Sequence, residues 1–488
     1  MKDIVEKIPK EVREILQKLE EAGFLAYIVG GAARDIVIGR EPKDWDITTD
    51  AVPEEIISVF PDSVYENKFG TVGVKTRSEN KSVAIVEVTT FRVEGGYSDF
   101  RHPDRVVFAN KIEDDLGRRD FTINAIAVNI KGEIVDPYNG KEDIQKKLIK
   151  AVGDPDERFN EDALRLIRAV RFAAELGFDI EGETMDAIVR KSALLKEIAI
   201  ERIRDEFVKI IMSVGAGPAW GIATLRTLGL LEYVVPELLE GVDVGQNKHH
   251  IYTVWEHNLR ALDYAAKENC SLEVRIAALL HDVGKPKSKA GEGPDSTFHN
   301  HEIIGAKMTA KIMERLHFSK KISDKVIHLV RHHLFYYNVG EVTEAGVRRF
   351  IRRVGEEYIE DLFKIREADR IGSGVPKAVP YKTRHLRFMM DKVRRDPILP
   401  KMLALNGSEI MNELKLSPGP RVGYILAILL EEVLDDPKKN EKGSLLNRSK
   451  ELNEVSDKEL AIIADKAKSR KEEYEAGVEA EIKKRHKV

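Results

Sequence analysis

The chain has 488 residues, a length that predicts about three to four domains, and it is 42% hydrophobic and 33% charged. This composition excludes a disordered chain, and the net charge of −4 excludes a protein that is basic throughout, so an RNA partner requires a local basic face. The single cysteine, Cys270, excludes an intramolecular disulfide, and together with a charged N-terminus and only short apolar runs it predicts a cytoplasmic protein without membrane contact.

Hydrophobic periodicity, taken in chain order, predicts four domains. Residues 1–150 mix helices with short strand-like runs, which predicts an α+β head with a mixed sheet because no long βαβ repeat is visible. From residue 151 the pattern is helical, and breaks rich in Gly and Pro divide it into a neck at 151–240, a histidine-rich segment at 241–375 and a tail at 376–488. The runs that predict strands are Thr71–Lys75, Val83–Thr90, Arg105–Phe108 and Ala125–Ile130.

The most informative segment lies near the N-terminus of the head. A short apolar strand leads into a turn at Gly30 and Gly31, and a helix is predicted to begin at Ala32, so backbone N–H groups can approach a phosphate closely. Asp44 and Asp46 are separated by one residue and are predicted to lie in the next strand, where both side chains project from one face, with their backbones about 7 Å apart. Two such carboxylates beside a phosphate cradle suit Mg²⁺ and a two-metal nucleotidyl transfer.

This segment resembles the nucleotidyltransferase head of the DNA polymerase beta superfamily. More narrowly, it is similar to the class II tRNA nucleotidyltransferases (CCA-adding enzymes) and to the bacterial poly(A) polymerases. The resemblance implies that Asp44 and Asp46 are the catalytic carboxylates and that they hold Mg²⁺. Glu87, in an alternating strand, is a candidate third ligand, although it could equally be a surface residue or pair with Arg92.

Two further parts of the head carry the same resemblance. Residues Phe91 to Arg105, rich in Gly, charge and aromatics, are predicted to form a mobile loop. They match the position of the flexible loop of CCA-adding enzymes, which enzymes that add only CC lack. The segment from Lys68 to Val72 is similar to the CCA-type sequence, whereas poly(A) polymerases have a more basic version there.

The second family motif extends from Arg118 to Ala125. By resemblance, Arg119 contacts the nucleotide together with Gly31 and Arg34. An arginine fork suits phosphate because it binds two oxygens at once, and Asp120 is predicted to accept from the ribose hydroxyl.

In the neck, residues Glu161 to Arg171 are predicted to begin a helix, with Asp162, Arg165 and Arg168 at intervals of three. Such spacing alone indicates a surface ion pair. The string nevertheless resembles the Glu-Asp-x-x-Arg motif of class II enzymes, in which the Asp and Arg bind the incoming base; here these are Asp162 and Arg165. Arginine can donate to the acceptors of cytosine while aspartate accepts from its amine. Arg168 and Arg171 are carried over as further nucleotide contacts.

Ten of the 13 histidines fall between His249 and His333. Imidazole and carboxylate side chains at separated helical positions suit a divalent transition metal or Mg²⁺. The pattern resembles an HD-superfamily metal-dependent phosphohydrolase. By that resemblance His301 and His332 are candidates for a second metal, and the core ligands are His257, His281, Asp282 and Asp369.

These features together predict an enzyme that adds CCA to the 3′ end of tRNA from CTP and ATP without a nucleic-acid template. The tail is expected to hold the tRNA acceptor arm. A poly(A) polymerase or an A-adding tRNA nucleotidyltransferase is the alternative. A third interpretation is an HD phosphodiesterase whose head only binds RNA, and the intact Asp44 and Asp46 pair argues against it. The sequence does not indicate an oligomeric state.

Overall fold

The structure, a computed structural model, describes residues 2–67, 70–97, 103–247, 251–394 and 403–487. These residues belong to two compact units. One comprises Met1–Leu334 with Asp361–Pro376, and the other comprises Phe335–Glu360 with Lys377–Val488. The four domain boundaries expected from the sequence stay a prediction, because neither unit isolates the head or the neck.

The head is built on a seven-stranded sheet. Nine strands are found in the head: β1 (Ala26–Val29), β2 (Asp46–Thr49), β3 (Ser63–Asn67), β4 (Thr71–Lys75), β5 (Ile85–Thr90), β6 (Arg92–Gly95), β7 (Arg105–Phe108), β8 (Ala127–Val128) and β9 (Ile134–Val135). The sheet order is β3-β4-β5-β2-β1-β8-β9. Strands β2 and β5 are parallel, while the other neighbours are antiparallel. The predicted mixed sheet is therefore confirmed.

Strands β6 and β7 form a separate antiparallel hairpin, with Arg92 opposite Phe108. Strand β6 lies within the segment predicted to be a mobile loop, so that prediction is wrong for Arg92–Gly95, whereas β7 has the bounds predicted for it and shares only Arg105 with the segment. Cross-strand backbone hydrogen bonds order the ends, and residues 98–102 lie outside the described residues. The predicted CCA-type segment is also only partly described, since Lys68 and Phe69 lie outside.

The described part of the head also contains six helices: α1 (Lys2–Glu6), α2 (Lys10–Glu21), α3 (Gly30–Ile38), α4 (Pro53–Val59), α5 (Ile112–Gly117) and α6 (Gly140–Lys146). Helix α2 is amphipathic and buries Val12, Ile15, Leu16 and Leu19. The helical backbone is interrupted between α1 and α2 because Pro9 disfavours helical backbone at the residue before it.

The neck that follows is mostly helical. Its one described strand, β11 (Asp179–Ile180), pairs in parallel with β10 (Leu148–Ile149) to form a two-stranded sheet. Its helices are α7 (Pro155–Glu161), α8 (Leu164–Leu176), α9 (Gly182–Lys191), α10 (Ile200–Ile211), α11 (Pro218–Thr227) and α12 (Leu231–Val234). The expected apolar stripe of α8 is confirmed, since Leu164, Ile167 and Val170 are buried.

The histidine-rich segment contains α13 (Val254–Lys267), α14 (Leu272–Leu280), α15 (Lys285–Ser288), α16 (His301–Arg315) and α17 (Lys320–His332), with a small hairpin of β12 (Lys289–Ala290) and β13 (Thr297–Phe298). The chain then contributes α18 (Glu344–Val354) to the second unit. It returns to the first unit in α19 (Ile359–Gly372), all but the first two residues of which belong there. This return brings Asp369 to the same unit as α13 and α14.

The second unit continues with α20 (Tyr381–Arg394), α21 (Gly407–Leu414), α22 (Pro420–Asp435), α23 (Lys442–Asn453) and α24 (Asp457–His486). Short 3₁₀ helices occur along the chain at Thr122–Asn124, Ser192–Glu197, Pro236–Gly241, Gly293–Asp295, Glu356–Tyr358 and Pro437–Lys439. Leu405, Ile425 and Leu429 lie at the centre of the core that α21 to α24 share. None of the helices in the described part of the chain combines the length and the hydropathy of a membrane span.

Candidate functional site

The site in the head starts at the first turn of α3. This helix begins at Gly30 and not at the predicted Ala32, and the left-handed backbone of Gly30 marks the turn that leads into it. Gly30 has φ +67°, and a Cβ there would lie 2.9 Å from Nη1 of Arg119 and 3.6 Å from Oδ2 of Asp46. At Gly31 a Cβ would lie 3.8 Å from Nη2 of Arg34. The free N–H groups of a helix start and two guanidiniums thus surround one space, which suits an anion.

The predicted carboxylate pair does not share a strand. Strand β2 begins at Asp46, whose register partner in β1 is Val29, the last residue before α3. Because β1 ends there, Asp44 has no partner strand and lies in a bend before β2. On the other side of β2, Glu87 of β5 is in parallel register with Asp46, so these two side chains emerge on the same face of the sheet.

The charges at this edge of the sheet favour a bound cation. Burial raises the pKa of the Asp46 carboxyl, the neighbouring Asp44 raises it further, and the Arg119 guanidinium opposes the rise. Among the described residues, sets of three ligand atoms within 4.8 Å of one another occur only in the histidine-rich segment, so the head carboxylates form a more open group. An open, all-oxygen set fits Mg²⁺, which takes its remaining ligands from water and substrate phosphate.

Arg34 and Arg119 are fixed by neighbouring polar groups. The buried Arg34 donates to Oδ1 of Asn124 at 2.9 Å and to Oδ1 of Asp35 at 2.9 Å. Arg119 donates to Oδ2 of Asp115 at 3.3 Å. Such contacts limit the rotamers of both arginines, so their positions beside the first turn of α3 are set before a ligand arrives.

Asp120 has a different role from the one predicted. Its Oδ2 accepts from Nε and Nη2 of Arg168 at 3.0 and 2.5 Å, and its Oδ1 accepts from Nδ2 of Asn124 at 3.0 Å. Although burial opposes its charge, Arg168 and Asn124 hold the pKa of Asp120 well below the usual range. Both oxygens are engaged within the protein, so Asp120 orients Arg168 and the predicted ribose contact is not supported.

The neck pair is positioned by groups outside its motif. Asp162 adopts extended backbone (φ −139°, ψ 103°) between α7 and α8, so the prediction that it lies on the helix is wrong. Its carboxylate accepts from the N–H of Leu164, the first residue of α8, at 3.0 Å, and from Nη2 of Arg202 at 3.0 Å. Arg202 was missed because no sequence motif marks it, and only the packing of α10 on α8 brings it near.

Arg165 and Arg171 are both buried and engaged. Arg165 donates to Oε2 of Glu161 at 2.8 Å and to the carbonyl of Arg118 at 3.0 Å, which joins the neck to the second head motif. Arg171 donates to Oε2 of Glu206 at 2.8 Å and lies 3.5 Å from the ring centroid of Phe172. The nucleotide contacts expected of Arg165, Arg168 and Arg171 stay predictions.

The histidine-rich segment brings the four predicted core ligands together. Nε2 of His257 lies 2.9 Å from Nε2 of His281, 3.1 Å from Oδ2 of Asp282 and 3.5 Å from Oδ1 of Asp369. Nε2 of His281 lies 3.3 Å from the same Asp282 oxygen. Two nitrogens and two carboxylates directed at one point fit a divalent metal, and imidazole favours a transition metal.

A second set forms around the other oxygen of Asp282. Oδ1 of Asp282 lies 3.4 Å from Nε2 of His301 and 3.7 Å from Nε2 of His333. The prediction of His332 as a member of this set is therefore wrong, and His333 occupies the position instead. Successive residues point about 100° apart around a helix end, so only one of the two can face Asp282. His332 packs instead against His328, with ring centroids 4.5 Å apart.

Backbone carbonyls set the direction of three of these imidazoles. Nδ1 of His281 donates to the carbonyl of Ala278 at 2.8 Å. In the same way, Nδ1 of His301 donates to the carbonyl of Phe298 and Nδ1 of His333 donates to the carbonyl of Val330, both at 2.7 Å. With Nδ1 protonated, each ring carries its lone pair on Nε2, as histidines that bind a metal through Nε2 do. Burial, followed by the neighbouring His281, lowers the pKa of His333 to about 3, which keeps it neutral as a ligand must be.

Lys285 is a further member of this site that the sequence motif did not single out as functional. Its buried Nζ lies 2.6 Å from Oδ2 of Asp282 and donates to Oε1 of Gln246 at 2.6 Å. Lys285 together with His281 lowers the pKa of Asp282 well below its usual range, although burial acts in the opposite direction. A buried ammonium beside two ligand sets can also attract a phosphate group.

The two histidines at the end of α17 give a direct test of the second set. We expect His333→Asn to remove about one equivalent of bound metal per chain, because a site of three protein ligands loses one of them. His332→Asn is the matched control and should retain wild-type metal content. Inductively coupled plasma mass spectrometry of protein loaded with Mn²⁺ or Zn²⁺ measures both. Equal metal loss in the two variants, or loss only in His332→Asn, would contradict this assignment.

Comparisons with known proteins give three family matches along the chain. Residues 26–150 match the family described as "Poly A polymerase head domain", residues 177–241 match "Probable RNA and SrmB- binding site of polymerase A", and residues 254–373 match "HD domain". With the mixed sheet and the helical body, these matches define a chain of the poly(A) polymerase-type nucleotidyltransferase class that carries an HD domain.

Relatives refine this class. A CCA-adding enzyme from Leuconostoc mesenteroides is 46% identical over 274 residues, which are 54% of this chain and 67% of the relative. The chain belongs to the CCA-adding enzyme family, and the resemblance stated from its motifs is confirmed. A CCA-adding enzyme from Lactobacillus helveticus is 49% identical over 218 residues, 44% of this chain and 52% of the relative. The chain thus spans about half the length of this and similar curated relatives.

Solved structures confirm the architecture. The Bacillus stearothermophilus CCA-adding enzyme in complex with CTP matches with a TM-score of 0.57 and 28% identity, covering 91% of this chain and 97% of that one. The Thermotoga maritima CCA-adding enzyme complexed with tRNA shares the fold at a TM-score of 0.52 and 18% identity, covering 92% of this chain and 97% of that one. An α+β head followed by a helical body is therefore the fold of this family.

Proposed function

We propose that this protein adds CCA to the 3′ end of tRNA from CTP and ATP, without a nucleic-acid template. One observation carries the proposal: the carboxylate of Asp46 lies at the first turn of α3 beside the guanidinium of Arg119, and Glu87 is in register with Asp46 on the same face of the sheet. A divalent ion and a triphosphate fit there together. The relatives named as CCA-adding enzymes support the choice of CCA over poly(A) addition.

Each part of the site has a role in this proposal. Asp44 and Asp46, with Glu87 as a candidate third ligand, hold Mg²⁺. When bound, the ion neutralises triphosphate charge and polarises the attacking hydroxyl. The N–H groups at Gly30 and Gly31 donate to the triphosphate, which lies between Arg34 and Arg119, and these contacts fix its orientation.

Selection of the base falls to the neck. Arg165 donates to the acceptors of cytosine and Asp162 accepts from the exocyclic amine, an arrangement in which two side chains replace a template base. Arg202 and Glu161 hold this pair in position, at 3.0 Å from Asp162 and 2.8 Å from Arg165. Arg168 and Arg171 are proposed to contact the nucleotide after a change of partners.

A second activity is proposed for the histidine-rich segment. Its family match is an HD domain, and a carboxylate shared by two ligand sets is suited to a pair of divalent ions that clamp a phosphate ester. Because four of the five side chains around Asp282 are imidazoles, a transition metal such as Mn²⁺ is favoured over Mg²⁺. The proposed reaction is hydrolysis of a phosphomonoester or a cyclic phosphodiester.

The tail is proposed to hold the tRNA acceptor arm, and a cytoplasmic location is proposed because the proposed substrates are tRNA, CTP and ATP. Incubation of the purified chain with tRNA lacking CCA, and with each nucleoside triphosphate separately and in mixture, tests the function directly. CTP alone should add two residues, and ATP should then add one. Addition of A only to tRNA ending in CC would identify an A-adding enzyme, and long A tails would identify a poly(A) polymerase.

Base selection by the neck gives a sharper expectation. We expect Arg165→Ala or Asp162→Ala to raise misincorporation of UTP or GTP by roughly ten- to a hundredfold, since a bidentate base contact is worth about 1–3 kcal/mol. Arg202→Ala should act in the same direction because it releases Asp162. Arg204→Ala on the same helix is the control, because this half-buried arginine contacts Asp205 and the carbonyl of His317 and not Asp162. Single-turnover incorporation with each nucleotide measures the ratio, and uniformly weaker binding with unchanged selectivity would show that the pair is structural.

A further inference from the structure

The second unit contains an aromatic pocket that none of the sites above uses. Its volume is about 370 Å³, within the range of about 300–1,000 Å³ that small-ligand sites occupy. Four aromatic rings line it, those of Phe335, Tyr336, Tyr337 and Phe350. Two arginines of α18, Arg349 and Arg353, also line it. Aromatic faces beside cations are the chemistry of single-stranded nucleic-acid sites.

The rings form a partly fixed and partly open surface. Phe335 and Phe350 pack with centroids 5.0 Å apart, and the hydroxyl of Tyr337 lies 2.6 Å from Nδ1 of His385, which anchors that ring. Tyr336 keeps 71% of its surface exposed although its hydroxyl donates to Glu341. A large aromatic side chain held by its hydroxyl but left open on its face can stack on a base at little loss of side-chain entropy.

The charge at the pocket is positive. Within the described part of the chain, neither Arg349 nor Arg353 forms an ion pair, and the guanidinium of Arg353 lies 5.8 Å from the centroid of Phe350. Two carboxylates of this region are engaged with other groups. Glu341 accepts from the hydroxyl of Tyr336 and from Nδ2 of Asn338 at 3.1 Å. Glu344 pairs with Arg348 at 3.5 Å and with Lys392 at 3.3 Å. Two cations without a partner therefore border the aromatic surface, and they are complementary to phosphate.

We propose that this pocket binds one unpaired nucleotide of the RNA substrate, with its base stacked on Tyr336 and its flanking phosphates beside Arg349 and Arg353. The proposal rests on the proposed function for the identity of that RNA as tRNA. Stacking is tolerant of sequence because every base has a π-face, so the pocket holds the RNA without selecting it. A free nucleoside triphosphate offers the same base and phosphate chemistry, and the test separates the two sources.

The test measures binding of the full chain to a fluorescein-labelled tRNA transcript that lacks CCA, by fluorescence anisotropy. Tyr336→Ala should weaken binding by roughly five- to a hundredfold, the loss expected for one stacked base. Tyr336→Phe should retain most of the affinity, well above that of Tyr336→Ala, because it keeps the ring and loses only the hydroxyl bond to Glu341. Equal loss of affinity in both variants, or loss in neither, would overturn stacking at Tyr336. If millimolar ATP displaces the tRNA from the unmodified chain but not from Tyr336→Ala, the pocket is a free-nucleotide site and the proposal is wrong.

Neighbouring arginines of α18 supply the matched control. Arg353→Ala should weaken tRNA binding and lower the slope of log affinity against log salt by about 0.7–0.9. Arg352→Ala removes the same charge one residue away, from an exposed position that does not line the pocket. This substitution should change the tRNA affinity and the salt slope much less. Equal effects of the two substitutions would indicate a diffuse electrostatic attraction and would contradict RNA binding in the pocket.

Binding in this assay needs no nucleotide addition, so it is independent of the proposed enzymatic function. Weaker binding of Tyr336→Ala in a chain that adds no nucleotide would support the pocket and contradict the function. If the chain adds CCA, Tyr336→Ala should raise KM for tRNA while kcat and KM for CTP stay unchanged. An unchanged KM for tRNA would contradict the pocket and leave the function standing.

Discussion

Asp46→Asn should abolish nucleotide addition without harming the fold. The amide keeps the shape of the carboxylate but loses the charge that holds the ion, and loss of at least about a thousandfold in rate is expected when roughly 4 kcal/mol of charge stabilisation is removed. Asp44→Asn should act in the same way. Primer extension on tRNA lacking CCA measures the rate, and Asp62→Asn, an exposed head carboxylate paired with Arg77, is the control.

The pKa of Asp46 makes a second measurement on the same variant informative. Because burial and Asp44 raise that pKa in the folded state, the ionised carboxylate destabilises the fold at pH values above its unfolded pKa. Without divalent ions at pH 7, Asp46→Asn should therefore melt no lower than the unmodified protein. Added Mg²⁺ should raise the melting temperature of the unmodified protein only. An Asp46→Asn protein that still adds nucleotides at a near-normal rate would remove this carboxylate from the mechanism.

Asp282→Asn should eliminate metal from both ligand sets of the histidine-rich segment while leaving CCA addition nearly normal. One of its oxygens belongs to each set, so a single substitution disturbs both. Hydrolysis of a 2′,3′-cyclic nucleotide, with Mn²⁺ supplied, should fall to background. The head site shares no residue with this cluster, so the two activities should vary independently. Metal analysis, hydrolysis and nucleotide addition are measured on one preparation.

Asn is preferred to Ala at position 282 because the buried Lys285 needs a polar neighbour. Removing one partner of a buried ion pair costs about 3–5 kcal/mol. Asp369→Asn, whose partner Arg366 is less deeply buried, provides a second variant if Asp282→Asn does not fold. Loss of nucleotide addition in a well-folded Asp282→Asn protein would contradict two separate modules and indicate one composite site.

Residue types and local spacing were enough to predict which side chains carry charge or coordinate metal, but not their detailed placement. Gly30, Asp46 and Arg119 were found from their motifs, and the structure brings all three to one space. The strand containing Asp46 was predicted to include Asp44, however, and it does not. Where β2 begins depends on where its neighbour β1 ends, and that information lies 17 residues earlier in the chain.

The histidines show the same limit. His332 and His333 are adjacent and chemically identical, so periodicity alone cannot choose between them, and the packing of α17 on its neighbours decides for His333. Partners supplied by distant elements are harder still. Arg202 reaches Asp162 from 40 residues away, and Gln246 reaches Lys285 from 39 residues away. Neither residue belongs to a motif, and only the tertiary fold identifies them.

The bond between Asp120 and Arg168 has a mechanical consequence. It crosses from the head motif to α8 of the neck, and a second bond, from Arg165 to the carbonyl of Arg118, runs parallel to it. Because the two bonds join residues 118–120 of the head to α8, this part of the head and α8 are expected to move together. The change of partners proposed for Arg168 would remove one of the two connections and leave the bond from Arg165 in place.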